Sequence, residues 1–117
     1  MSTVSTHVLD TALGKPAAGV RVILERIDAM DGAGPAVSLG LGETDGDGRL
    51  RELLPAGESL GAGDYRLRFD TGAYFRAQGL DAFYPSVTVE FRVADGAAHY
   101  HVPLLLSPFG YSTYRGS

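Results

Sequence analysis

The sequence predicts an all-β sandwich, and three observations carry that prediction. About seven or eight short segments alternate apolar with polar residues at the period of two that a strand imposes. Between them stand Gly14-Lys15-Pro16, Asp45-Gly46-Asp47-Gly48 and Asp95-Gly96, clusters of the residue types that reverse a chain between strands. Only Asp70 to Gly79 reads with helix chemistry. Many short strands and one stray helix describe two packed sheets in a single domain over 1–117.

The first strand is Val4 to Asp10, with His7 and Leu9 on one face and Thr6, Val8 and Asp10 on the other. After the turn at Gly14 to Ala17, Gly19 to Ile27 is rich in β-branched residues and places Val20, Val22 and Leu24 in one row. Asp31 to Pro35 is a loop, and Val37 to Thr44 is a third strand loosened by Gly40 and Gly42. A tight turn at Thr44 to Gly48 precedes a short strand, Arg49 to Leu53. Asp64 to Phe69 alternates Tyr65, Leu67 and Phe69 against Arg66 and Arg68. Asp70 or Thr71 can cap the helix and Gly79 can end it. Ser86 to Val93 sets Val87, Val89, Phe91 and Val93 inward.

The last nineteen residues are the most informative. In His99 to Leu106 one face carries Tyr100, Val102, Leu104 and Leu106, and the other His99, His101, Pro103 and Leu105. Neither is an ordinary solvated face, which predicts that a second subunit covers the outer row. Ser107-Pro108-Phe109-Gly110 then turns the chain into a final strand, Tyr111 to Tyr114. The chain ends by bringing an aromatic, an arginine and a carboxylate near those histidines.

Composition narrows the chemistry. A chain of 117 residues, 44% hydrophobic, can bury a core without metal or disulfide staples. Ten basic against fourteen acidic residues give a net charge of −4, which disfavours nucleic acid as a partner. With no cysteine there are no disulfides, thiolate metal sites or thiol nucleophiles, and a reducing cytoplasmic setting is compatible. The start lacks a signal-peptide pattern, and no stretch approaches the roughly 18 apolar residues of a spanning helix, so no membrane partner is expected. The one lysine, Lys15, sits in a turn, a poor place for a desolvated amine nucleophile.

Three histidines, His7, His99 and His101, make up the imidazole inventory. A zinc site built on them lacks the nearby carboxylates that orient such ligands, so no metal is expected. His7 and His101 both lie on apolar strand faces that can meet in one sheet. His99, beside a turn, is assigned to solvent or to supporting another group. Asp45 and Asp47 are too few for a calcium loop, which needs more ligands and flanking helices. Tyr114 continues the alternation on the Ser112 face, pointing where His101 points if the last turn keeps register.

Three stretches, Thr6-His7-Val8-Leu9-Asp10, His101-Val102-Pro103-Leu104-Leu105-Leu106-Ser107-Pro108 and Tyr114-Arg115-Gly116-Ser117, resemble the 5-hydroxyisourate hydrolases, the transthyretin-related enzymes of urate breakdown. The resemblance covers nearly the whole chain. Transthyretin itself shares the Leu-Leu-Ser-Pro and Tyr-Ser-Thr pieces but lacks the Tyr-Arg-Gly-Ser ending. The resemblance implies a transthyretin-like topology of two four-stranded sheets with a helix between the fifth and sixth strands. It implies a cofactor-free hydrolase, assembled as a homotetramer, that opens the ring of 5-hydroxyisourate. It also raises Arg49, otherwise an ordinary arginine after a turn, to a catalytic residue beside His7 and His101. Imidazole titrates near neutrality, so water activation falls to the His7 and His101 pair, with neither singled out. Arg49 would clamp substrate oxygens and favour neutral imidazole, while Tyr114, Arg115, Gly116 and Ser117 would line the pocket. The alternative is a carrier that binds an aromatic ligand in the same channel, for which apolar and small residues would be expected at those positions.

Overall fold

A computed structural model of the chain describes residues 2–27, 36–55, 57–94 and 98–116. The expected loop from Asp31 to Pro35, the turn at Asp95-Gly96 and Ser117 lie outside the described residues. In chain order the strands are β1 Thr3–Asp10, β2 Lys15–Pro16, β3 Arg21–Ile27, β4 Ala36–Glu43 and β5 Arg49–Leu50, then β6 Gly63–Phe69, β7 Val87–Val93, β8 His99–Ser107 and β9 Gly110–Thr113. The helix α1, Thr71–Arg76, falls between β6 and β7.

Two sheets pack face to face. One is the antiparallel order β4-β3-β6-β7; the other runs β2-β1-β8-β9, with β5 also paired to β1. β5 pairs with Thr6 and His7, and β2 with Leu9 and Asp10, so these two short strands lie end to end along one edge of β1. At the centre of this sheet β1 and β8 are parallel, in unbroken register from Thr3↔His99 to Asp10↔Leu106. The inward rows supply the core: Val4 and Val8 of β1 and Val102, Leu104 and Leu106 of β8 face Val22, Leu24, Leu67, Phe69, Val87 and Val93. Each such side chain contributes about 2 kcal/mol by leaving water.

The sandwich and its one helix are as expected, but among the described residues one sheet has five strands rather than four and the helix follows the sixth strand rather than the fifth, because Lys15–Pro16 adds a two-residue strand; several boundaries also differ. Lys15 and Pro16, read as part of a turn, pair with Asp10 and Leu9; the reversal occupies the residues just before them. The strand expected over Arg49 to Leu53 keeps its ladder only to Leu50, because Leu53 turns into the core. Gly40, expected to loosen β4, is where this segment crosses: a Cβ there would collide with the Leu53 carbonyl. The helix stops at Arg76, short of Gly79. Asp70 caps it by accepting from the Ala73 N–H at 3.4 Å.

The outer faces of the sheets differ. On the β3-β6-β7 side Glu25 is paired by Arg66 and Arg68, and Asp64 by Arg92, an ordinary charged surface. On the β1-β8 side the outer row holds Thr3, Ser5, His7 and Leu9 beside His99, His101, Pro103 and Leu105.

Candidate functional site

The turn after β4 delivers Arg49 to the imidazoles. Asp45 Oδ1 accepts from the backbone N–H groups of Asp47 and Arg49, at 2.9 and 3.0 Å. These bonds, the Arg49 one first, hold the exposed Asp45 carboxyl below its usual pKa. Gly48 sits at φ +75°, and a Cβ there would strike the Val8 carbonyl, so the turn lies tight against β1. The result is a direct cross-strand pair, His7↔Arg49, whose side chains share a face.

On the other side of β1, the parallel ladder sets His7 opposite Pro103 and Ser5 opposite His101. His7, Arg49 and His101 therefore come from three adjacent strands onto one outer face. The His7 Nε2 lies 2.9 Å from the Asp47 carbonyl. A carbonyl only accepts, so Nε2 carries the proton and Nδ1 is the basic nitrogen of neutral His7. His101 Nδ1 is 2.8 Å from Ser5 Oγ. Burial pushes the His101 pKa below the usual imidazole value, and the charges of Arg49, His7 and His99 push it the same way. His101 is thus held neutral, the form a base requires.

A cavity of about 340 Å³ opens beside these groups, lined by Ser5, Thr6, Arg49, Arg51, His99 and His101. Ser5 and Arg51 were not foreseen as site residues. Each stands two positions from an expected one, Ser5 from His7 and Arg51 from Arg49, so the strand alternation that picked out His7 could have found them. His99 is exposed and bonded to Ser5 and Thr3, in keeping with its assignment to solvent or to a supporting place. Among the described residues no group of three His, Asp or Glu side chains is gathered as metal ligands.

The tail is docked onto β8. The β8·β9 register, Leu104↔Thr113, continues to a bridge at His101↔Gly116, where the Gly116 N–H donates to the His101 carbonyl at 2.8 Å. The same register sets Tyr114 across from Pro103, on the His101 face. A Cβ at Gly116 would lie 2.5 Å from the His101 ring and 3.2 Å from Pro103 Cγ, so only glycine permits this approach. Pro103, on the row expected to be covered by a second subunit, is already buried within one chain, while Leu105 is half-buried. The Arg115 guanidinium lies 4.7 Å from the centre of the Tyr100 ring, and Tyr114 and Arg115 line a second cavity of about 280 Å³ that His101 also borders.

Residues 4–116 match the model of the HIUase/Transthyretin family. The chain is 50% identical to a 5-hydroxyisourate hydrolase of Caulobacter vibrioides, over 100% of both chains. Among solved structures it is similar to Klebsiella pneumoniae 5-hydroxyisourate hydrolase, with a TM-score of 0.85 and 38% identity over 100% of both chains. It is also similar to sea bream transthyretin in complex with thyroxine, with a TM-score of 0.86 and 33% identity over 97% of this chain and 94% of that one.

Proposed function

The chain belongs to the HIUase/Transthyretin family, and we propose that it is a hydrolase that opens the six-membered ring of 5-hydroxyisourate to 2-oxo-4-hydroxy-4-carboxy-5-ureidoimidazoline. The observation that carries this reading is the placement of His7, Arg49 and His101 on one face, with His7 and Arg49 directly paired. The backbone fold is compatible with a hydrolase and with a thyroxine-binding transthyretin. Sequence separates them, at 50% identity to a hydrolase and 33% to the transthyretin. The carrier alternative would also want apolar lining where this face offers three imidazoles and two guanidinium groups.

Water attack on a ring carbonyl needs a base near neutral pH, a cation for the developing oxyanion and a fixed orientation of the flat ring. His7 Nδ1 and His101 Nε2 are the ring nitrogens left for water, since the other nitrogen of each is engaged by Asp47 or Ser5. The Arg49 guanidinium holds substrate oxygens through paired N–H donors and keeps the neighbouring imidazole neutral. Tyr114 forms a wall, Gly116 lets the tail close on His101, and Ser117, next in the chain, orients a histidine or the substrate. Arg115 fastens this tail through Tyr100.

The enzyme is a cytoplasmic homotetramer in this reading, with β1-β8 outer faces of neighbouring subunits enclosing the sites. Half-buried Leu9 and Leu105 on that face support it, as does Tyr114, 57% exposed in the single chain. The test is ultraviolet decay of freshly generated 5-hydroxyisourate with and without protein. Acceleration that survives prolonged chelation is expected. No acceleration would remove the hydrolase reading, and loss on chelation reversed by zinc would put a metal among the histidines.

A further inference from the structure

Behind His101 the outer face carries a continuous chain of hydrogen-bonding groups. His101 Nδ1 lies 2.8 Å from Ser5 Oγ, and Ser5 Oγ lies 2.8 Å from His99 Nε2. His99 Nδ1 in turn lies 2.6 Å from Thr3 Oγ1. Ser5 is buried, at 6% exposure, whereas His99 and Thr3 are exposed. The chain therefore runs from the half-buried imidazole of His101 to the exposed imidazole of His99 at the rim of the same cavity. The parallel β1·β8 register is what builds it, because Thr3↔His99 and Ser5↔His101 set hydroxyls against imidazoles on alternate rungs, which share a face.

A hydroxyl has a single proton to donate. Between two imidazole nitrogens Ser5 can donate to only one, so at least one of His101 Nδ1 and His99 Nε2 must carry a proton, and the protonation of the two rings is linked through it. When Ser5 donates to His99 Nε2 and accepts from His101 Nδ1–H, His101 Nε2 is left with its lone pair as the basic nitrogen of the ring. The opposite orientation puts a proton on His99 Nε2 and makes His101 Nδ1 the acceptor. Shifting protons along the chain converts one arrangement into the other without moving a heavy atom.

We propose that Ser5 and His99 form a relay behind His101, in which Ser5 positions the basic tautomer of His101 and His99 passes the proton released by hydrolysis to solvent. The proposal rests on the hydrolase reading above. In that reaction water adds to the ring carbonyl carbon, a C–O bond forms, and the C–N bond breaks with its electron pair going to nitrogen. One water proton ends on that nitrogen. The other is lost when the new carboxyl group ionises, and it has to leave the cavity on every turnover. Taken up at His101 Nε2, it displaces the Nδ1 proton to Ser5 Oγ, and the Ser5 proton moves to His99 Nε2. The titratable and cationic groups around this path are His7 and Arg49 from β1 and β5, His99 of β8 and Arg51 lining the same cavity. Burial first, and then Arg49, His7 and His99, disfavour a proton resting on His101 and so favour its export.

The test uses the full chain with Ser5→Ala, Ser5→Thr and His99→Gln, reading kcat and KM against imidazole buffer concentration. In dilute bulky buffer Ser5→Ala and His99→Gln should lose on the order of tenfold in kcat with KM nearly unchanged, less than the ~100-fold of losing a base outright. Rising imidazole should restore both by accepting the proton directly, and Ser5→Thr, which keeps the hydroxyl, should stay close to the parent. Parent-like kcat in both variants at every buffer concentration would overturn the relay, as would losses that imidazole does not restore. His99 is exposed, so His99→Gln decides the matter even if Ser5→Ala folds poorly. An inactive parent protein would refute the hydrolase reading itself, whereas an active parent with unaffected variants refutes the relay alone.

Discussion

The Gly116 N–H donates to the His101 carbonyl at 2.8 Å, and the two backbones are so close that a Cβ at 116 would stand 2.5 Å from the His101 ring. The tail and the imidazole are thus one unit. Gly116→Ala should push the ring off Ser5 and lower turnover by about tenfold or more, a fraction of the general-base contribution, while circular dichroism stays that of the parent. Deleting the residues after Thr113 should do the same more severely. Full rates in either folded variant would make the tail a bystander, as unanchored termini are.

Arg49 should set the pH dependence of the site. His101 acts as a base when neutral, and its pKa lies below the usual 6.5 through burial first and the Arg49 charge next. The acid limb of kcat/KM should therefore fall below pH 6.5 in the parent. Arg49→Ala removes one downward push, so the limb of its residual activity should move to higher pH. An unmoved limb, or a shift to lower pH, would contradict the electrostatic account.

Away from the site, Tyr74 ties the helix to β1. Its hydroxyl donates to Asp10 Oδ2 at 2.8 Å, and burial with this bond pushes the phenol pKa to about 12. The donor proton is therefore present throughout the neutral range. Tyr74→Phe leaves a buried carboxylate oxygen short of a partner and should cost about 1–2 kcal/mol in urea unfolding, with hydrolytic rates unchanged. Equal stability would mean the bond contributes nothing net.

Assembly has its own measurement. Light scattering in neutral buffer should give the mass of four chains, because Leu9 and Leu105 stay half-buried on the outer β1-β8 face and Tyr114 beside them is 57% exposed in the single chain. A monomer at micromolar concentration would leave the cavity open to water and remove the shared channel.

Much of this was legible in the sequence, for identifiable reasons. Alternation put Val102, Leu104 and Leu106 inward and His101 outward, and Asp70 marked the start of the helix, whose end at Arg76 falls short of Gly79. What alternation cannot carry is pairing between distant segments. The parallel β1·β8 register and the two-residue β5 strand join residues roughly ninety and forty positions apart, and no local pattern encodes either. The meeting of Ser5 with His101 was therefore invisible, and Arg49 was singled out by resemblance alone. Pro103 shows the same limit: its outward position was legible, but the approach of the chain's own tail to it was not.

The most direct test of the account is the rate of 5-hydroxyisourate decay with the His7→Ala/His101→Ala double variant, compared with the parent at equal concentration and with matching circular dichroism. Loss of both bases from one face should cut turnover by about 100-fold or more, the scale of general-base catalysis. A folded double variant that turns over at the parent's rate would place the chemistry elsewhere on the molecule.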